Sequence, residues 1–307
     1  MGTPSFAVPV LESLAGAHRV VGVVTQPDRA AGRGRRLGVS PVKQVALQHG
    51  WPLIQPKSLR VPEAVAQIAT WDPEVIVVAA FGQILQQDVL DLPPHGCLNV
   101  HASLLPRWRG AAPVQAAILA GDAVTGVTIM RMDAGLDTGP ILAQREEPIR
   151  ADDTRAVLKE RLARLGADLL IETIPMVLAS ELRPRPQPEE GVTYAGQLRK
   201  VDGLLDWSLP ADELDRRVRA FNPWPGAFTT WRGQRLMVWQ AVALPGWRGD
   251  APPGTVVALA DGVVVVTGEG ALRLEEVQLA GKRRMVISAF LCGQRGCVGS
   301  RLGEDEA

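Results

Sequence analysis

The chain has 307 residues, 46% of them hydrophobic, with 33 basic residues set against 33 acidic ones. That length suits two domains rather than one, and the charge balance removes global basicity as a sign of nucleic-acid binding. No apolar run approaches the roughly 20 residues that a membrane-spanning helix needs, no basic-then-apolar leader opens the sequence, and the three cysteines, Cys97, Cys292 and Cys297, form neither a disulfide framework nor a zinc site. A cytoplasmic protein without a bound metal is expected.

In chain order, a helix is expected over residues 5–14 and a Val-rich strand over 19–25. Residues 26–41 (QPDRAAGRGRRLGVSP) then read as a loop that carries Arg29, Arg33, Arg35 and Arg36 against one acid, Asp28. From the residues alone it is either a solvated surface loop or a mobile basic arm for phosphates. It is not a Walker loop, because no Gly-Lys-Ser/Thr follows. Ser40 and Pro41 make a helix start, with Ser as cap and Pro in the first turn. A helix to residue 49, a strand over 53–55 and a helix over 62–70 are expected next. The continuous apolar run 75–81 is that of a strand buried on both faces. After a further helix come a strand over 97–102, a helix over 112–120, strands over 125–132 and 140–149, and a long helix over 153–179 with apolar residues at helical spacing. Strands alternating with helices predict an α/β unit with a Rossmann-like, mostly parallel sheet, whose ligands bind beyond the carboxyl ends of the strands.

Residues 181–190 (ELRPRPQPEE) are rich in proline and charge, so the expected division is a first domain over 1–182, a linker over 183–202 and a second domain over 203–307. In the second domain a helix over 211–221 precedes short strands over 228–231, 235–243, 254–260, 263–267 and 272–279, the spacing of a small barrel. Its basic groups, Arg216-Arg217-Arg219 and Lys282-Arg283-Arg284, have the ordinary explanation of a solvated face.

The most informative stretch is Leu98 to Gly139. Strand alternation puts Asn99 and His101 on one face and Val100 on the other. An amide can donate to a developing oxyanion, an imidazole can move a proton near neutral pH, and Asp137, in Asp-Ala-Gly-Leu-Asp-Thr-Gly, is the best candidate to orient the ring. Each residue alone has an ordinary explanation: a satisfied histidine, a turn asparagine, a loop aspartate. Together, with Ser103-Leu104-Leu105-Pro106 attached, they describe a site for acyl chemistry.

This segment, with the string Ser103 to Pro113 (SLLPRWRGAAP), resembles the folate-dependent formyltransferases, and the likeness runs over almost the whole chain. The resemblance implies a formyltransferase fold with a C-terminal OB-like β-barrel that binds tRNA. It implies 10-formyltetrahydrofolate as co-substrate, with no cofactor bound permanently and no metal. Asn99, His101 and Asp137 are the implied catalytic residues. Ser103, Leu104, Leu105 and Pro106 would border the folate, and Arg29, Arg33, Arg35 and Arg36 would contact the acceptor end of a tRNA. The Arg-Trp-Arg-Gly-Ala-Ala-Pro extension, the basic loop and the second domain favour initiator methionyl-tRNA as acceptor for its α-amine. The alternatives are a formyltransferase for a small amine, a formyl-folate hydrolase that uses the same three residues with water, and a non-catalytic folate- or tRNA-binding protein. Asp137, His101 or a water could relay the proton to N10. The family carries an apolar strand just before Gly-Thr-Pro, so the natural start is expected upstream of Met1. A monomer is expected.

Overall fold

The computed structural model describes residues 1–31, 36–260 and 262–304. The chain divides into two interleaved units: Met1–Pro113, Val124–Pro148 and Lys159–Ala195 form the first, and Val114–Ala123, Ile149–Leu158 and Gly196–Ala307 the second.

In the first unit the strand Val23–Val24 pairs parallel with Leu53–Ile54, and Ile76–Val78 pairs parallel with Cys97–His101. The next two strands, Val124–Arg131 and Ile141–Pro148, continue the same sheet but run antiparallel. The sheet is therefore parallel on one side of Cys97–His101 and antiparallel on the other. The last two strands need no crossover; the loop 132–140, which carries Asp137, joins them directly. The helix Pro41–Gln48 starts as its sequence requires, with the Ser40 hydroxyl accepting from the Lys43 N–H and Pro41 in the first turn.

Met1 and Gly2 bridge the two parallel pairs. The Met1 amine donates to the Val77 carbonyl at 2.5 Å. The Met1 carbonyl accepts from Ala79, and the Gly2 N–H donates to Val24. Gly2 is needed there, since a Cβ would meet that of Ala7 at 2.6 Å. These two residues stand where the resemblance sets the end of an apolar strand. Next to them lies a cavity of about 570 Å³ lined by Leu11, Leu14, Val21, Trp71, Val75 and Ile174 among others.

The stretch read as a loop at 26–41 contains a short antiparallel hairpin, Arg29–Ala31 with Arg36–Gly38. The proline-rich residues 181–195 are stitched to the first unit by backbone pairing. Arg185 and Ile141 exchange both N–H···O bonds, and Tyr194–Ala195 runs parallel to Arg109–Gly110.

The second unit is built on an antiparallel sheet in the order Ala227–Trp231, Gln234–Leu244, Ala271–Leu279, Gly262–Val266, Val256–Leu259, with Met285–Val286 on the side of Ala271–Leu279. The sheet is open rather than closed, an OB-like arrangement. Alternate residues of its strands face a core that includes Trp207, Trp231, Leu236, Val238, Val265, Leu272 and Val277, joined by Leu214 and Val218 of the helix Ala211–Phe221. Trp207 Nε1 donates to Thr229 and Trp231 Nε1 to Ser300, so neither indole is buried unpaired. A helix the sequence did not announce, Ile287–Gly293, covers the sheet with Ile287 and Phe290.

Candidate active site

The strand Cys97–His101 is hydrogen-bonded along both edges, and all five of its residues are buried. Two of the five are polar, Asn99 and His101, 8% and 6% exposed. Polar side chains at that depth need partners. Asn99 Nδ2 donates to Asp137 Oδ1 at 3.2 Å. His101 Nε2 lies 2.9 Å from the Trp108 carbonyl oxygen, and Nδ1 lies 3.6 Å from Asp137 Oδ2. The first is a hydrogen bond; the second is too long for one and has the reach of an ion pair. A carbonyl only accepts, so Nε2 carries a proton. Nδ1 is turned to the Asp137 carboxylate.

The sequence therefore brings the three residues together as expected, but the short contact of the imidazole goes to the Trp108 backbone rather than to Asp137. The carboxylate instead takes the Gly110 N–H on Oδ2 at 2.8 Å. Gly110 has φ 110°, and a Cβ there would lie 2.7 Å from the Ala195 carbonyl oxygen, so only glycine can bring this N–H to the carboxylate. Trp108 and Asp137 themselves occupy the left-handed region, with φ 62° and 53°, a conformation non-glycine residues keep only where the surroundings hold it. Trp108 is held by its N–H on the Thr193 hydroxyl at 2.8 Å.

Ser103, Leu104, Leu105 and Pro106 follow the strand as a braced shelf. The Ser103 hydroxyl donates to the Arg107 carbonyl at 2.6 Å. Thr128, fully buried and opposite His101 in the ladder, donates to the Ser103 carbonyl at 2.7 Å and accepts from the Leu105 N–H at 3.1 Å. Gln144 donates to the Leu105 carbonyl at 2.8 Å. Leu105 is 3% exposed and packs on Met130 and Ile141, so its side chain belongs to the core and is not offered to a ligand. Of the four arginines expected to contact tRNA, Arg29 and Arg36 stand on the two strands of the hairpin, and Arg33 and Arg35 lie outside the described residues. At the base of the hairpin, hydrogen bonds from Lys43 and Gln55 hold the Asp28 carboxyl below its ordinary range, so the acid of this stretch is already paired.

Sequence reasoning missed Thr128, Gln144, Arg109 and Gln187. Thr128 is recognisable only once the strand register puts it across from His101. Gln187 sits among exposed prolines and charges, and only its half-buried position sets it apart. Cys97, at the other end of the site strand, is no nucleophile: burial pushes its thiol up to about 12. Among the described residues, no group of three or more His, Cys, Asp or Glu could hold a metal ion, and no helix is long and apolar enough to cross a membrane.

Comparison with known proteins agrees with this layout. Residues 1–174 match the Formyl transferase family and residues 197–295 match Formyl transferase, C-terminal domain. The chain is 50% identical over 305 residues to a methionyl-tRNA formyltransferase of Magnetococcus marinus, covering 99% of this chain and 97% of that one. It is 52% identical to that of Methylococcus capsulatus, covering 98% of each. Among solved structures, the N-formyltransferase of Helicobacter canadensis, in complex with folinic acid and dTDP-3-aminofucose, superposes with a TM-score of 0.67 over 92% of this chain and 97% of that one. HypX from Aquifex aeolicus, in complex with tetrahydrofolic acid, gives 0.60 over 83% of this chain and 45% of that one. At 17% and 19% identity these two speak for the fold alone. Half identity sustained along both chains carries more, and with it this protein belongs to the methionyl-tRNA formyltransferase family.

Proposed function

We propose that the protein transfers the formyl group of 10-formyltetrahydrofolate to the α-amine of initiator methionyl-tRNA, giving N-formylmethionyl-tRNA for translation initiation. The observation that carries this is the joining of Asn99, His101 and Asp137 in one cluster at the carboxyl end of a strand, in a chain half identical to methionyl-tRNA formyltransferases along its length.

In the reaction the amine attacks the formyl carbon, a new C–N bond forms, the bond to N10 of the folate breaks, and the proton lost by the amine ends on N10. The formyl oxygen becomes negative on the way. Asn99 spends one Nδ2 hydrogen on Asp137 and has a second to give to that oxygen. His101 is the second donor, its ring oriented by the Asp137 carboxylate beside Nδ1. A donor aimed at an oxyanion contributes a factor of about 10²–10³ in rate. For His101 to donate directly, its Nε2–H must exchange the Trp108 carbonyl for the formyl oxygen. Asp137, His101 or a bound water carries the proton from the amine to N10.

The backbone of Ser103, Leu104, Leu105 and Pro106 would receive the folate, a co-substrate that leaves after each turnover. Arg29, Arg33, Arg35 and Arg36 would grip the acceptor end of the tRNA, and the C-terminal domain expected over residues 203–307 would also bind it. Charged initiator tRNA is made and used in the cytoplasm, where we place the protein, acting as a monomer.

The test is a formyl-transfer assay on charged initiator tRNA with 10-formyltetrahydrofolate, beside free methionine and an amino sugar as acceptors. Transfer to the charged tRNA alone is expected; preference for a free amine overturns the acceptor assignment. In the same assay, changing the four arginines to alanine should raise the tRNA KM and leave the folate KM unchanged. It should also lower the salt slope by roughly one unit for each phosphate no longer neutralised.

A further inference from the structure

The proline-rich stretch after the long helix sends one side chain back into the catalytic centre. Gln187 Oε1 accepts from both Nε and Nη2 of Arg109, at 3.0 and 2.7 Å. Its Nε2 donates to the carbonyl oxygens of Asp137 and Gly139, each at 2.8 Å. The partners fix the orientation of this amide without ambiguity, because a guanidinium can only donate and a carbonyl can only accept. Both amide hydrogens and both lone pairs of the oxygen are thereby engaged.

These bonds close a ring. Arg109 precedes Gly110, whose N–H holds the Asp137 carboxylate; Gln187 holds the Arg109 side chain, and the same amide returns to the Asp137 backbone. Asp137 is thus fixed at its carboxylate by Gly110 and at its carbonyl by Gln187. It needs both. Its left-handed φ of 53° is unfavourable for a non-glycine residue, and the loop around it has little packing, with Leu136 55% exposed. Since the carboxylate has no short hydrogen bond to His101, the 3.6 Å gap between them is set by what holds Asp137: Asn99 and Gly110 at its carboxylate and Gln187 at its backbone.

We propose that Gln187 is a positioning residue for catalysis: it clamps the Asp137 loop so that the carboxylate stands at the reach of the His101 ring. The inference rests on the roles given above to Asp137 and His101. It also explains why a side chain from a segment with the composition of a linker is turned inward while its neighbours are exposed.

Two variants separate positioning from simple anchoring. Gln187→Glu keeps an acceptor for Arg109, and so keeps the segment attached, but removes both donors and sets a carboxylate against two carbonyls. Gln187→Met removes both sides of the clamp at nearly the same volume. In formyl transfer to charged initiator tRNA, both variants should lose on the order of 10²-fold in kcat, as a displaced reacting geometry does, with KM for tRNA and folate unchanged. The Glu variant should melt close to the parent. A Glu variant with the kcat of the parent assigns Gln187 to anchoring Arg109 and overturns the proposal, as does a raised KM at unchanged kcat; if the Met variant does not fold, the Glu variant decides. Asp137→Asn is measured alongside. Full activity in Asp137→Asn overturns the roles assigned to the site itself, whereas loss in Asp137→Asn with a parent-like Gln187→Glu overturns the clamp alone.

Discussion

Cys97 and His101 are the two ends of one five-residue strand, and their surroundings differ in kind. At the His101 end the polar groups are paired: the ring with Trp108 and Asp137, Asn99 with Asp137, and the following loop with Thr128 and Gln144. The Cys97 end lies among apolar side chains that include Val89 and Ile76. The Met1 amine, bonded to Val77 on the neighbouring strand, stands beside the cavity of about 570 Å³. The first end is organised by directed hydrogen bonds, the second by burial. In the proposed mechanism the chemistry depends on the carboxyl end of this strand, while burial supports the fold at its amino end. Substitutions at the two ends should move different observables.

The largest effect is expected at the carboxyl end. Asn99→Ala and His101→Ala should each lower kcat about 10²–10³-fold while changing the melting temperature little, because each removes a group that the fold must satisfy rather than one that packs the core. Turnover within about tenfold of the parent in His101→Ala, a tenth or less of the loss expected for such a donor, would break the comparison at its functional side.

At the amino end the expected effect is on stability and its pH dependence. In a chain whose first residue is Met1, burial lowers the α-amine from 8.0 to about 6, with Cys97 opposing the shift. The amine is then neutral when folded and protonated when unfolded between those values. The stability penalty of burying it is absent above about pH 8, grows as pH falls from 8 to 6, and is constant below 6. Two pKa units correspond to about 2.7 kcal/mol. Denaturant midpoints measured from about pH 8.5 to about pH 5.5, a range that brackets both values, should fall accordingly, with kcat/KM tested separately. Acetylating the amine should remove this component; an unchanged slope after acetylation would show that other groups produce it.

The smallest effect is expected from the thiol. Burial pushes Cys97 to about 12 and Cys297 to about 11, and Cys292 is exposed. Alkylation of the folded protein at about pH 8, near the ordinary thiol pKa, should consume Cys292 with no loss of formyl transfer. Labelling of Cys97 in the folded state would show that the amino end of the strand opens to solvent, and would sharpen the contrast into one of dynamics as well as composition.

Much of this was legible in the residues. The 75–81 run, the Asn-x-His alternation and the 211–221 helix are local patterns, set by side-chain periodicity and by which backbone conformations each residue tolerates. They placed the site strand and named the three residues of its cluster. The hairpin at Arg29–Ala31 and Arg36–Gly38 was hidden by glycine and arginine, which carry no strand signal. The helix Ile287–Gly293 is too short to announce itself by periodicity.

By itself, the sequence determined which side chains could do acyl chemistry and that two of them share a face, because alternation along a strand follows from covalent geometry alone. Tertiary structure alone decided what each of them touches. It turned the His101 ring to the Trp108 carbonyl, gave the Asp137 carboxylate to a glycine N–H, set Thr128 across the ladder as the brace of the following loop, and brought Gln187 back across 50 residues to the Asp137 backbone. The physical reason is that a buried polar group must find its partner wherever the folded chain supplies one, and pairing over such separations leaves no local mark in the order of the residues.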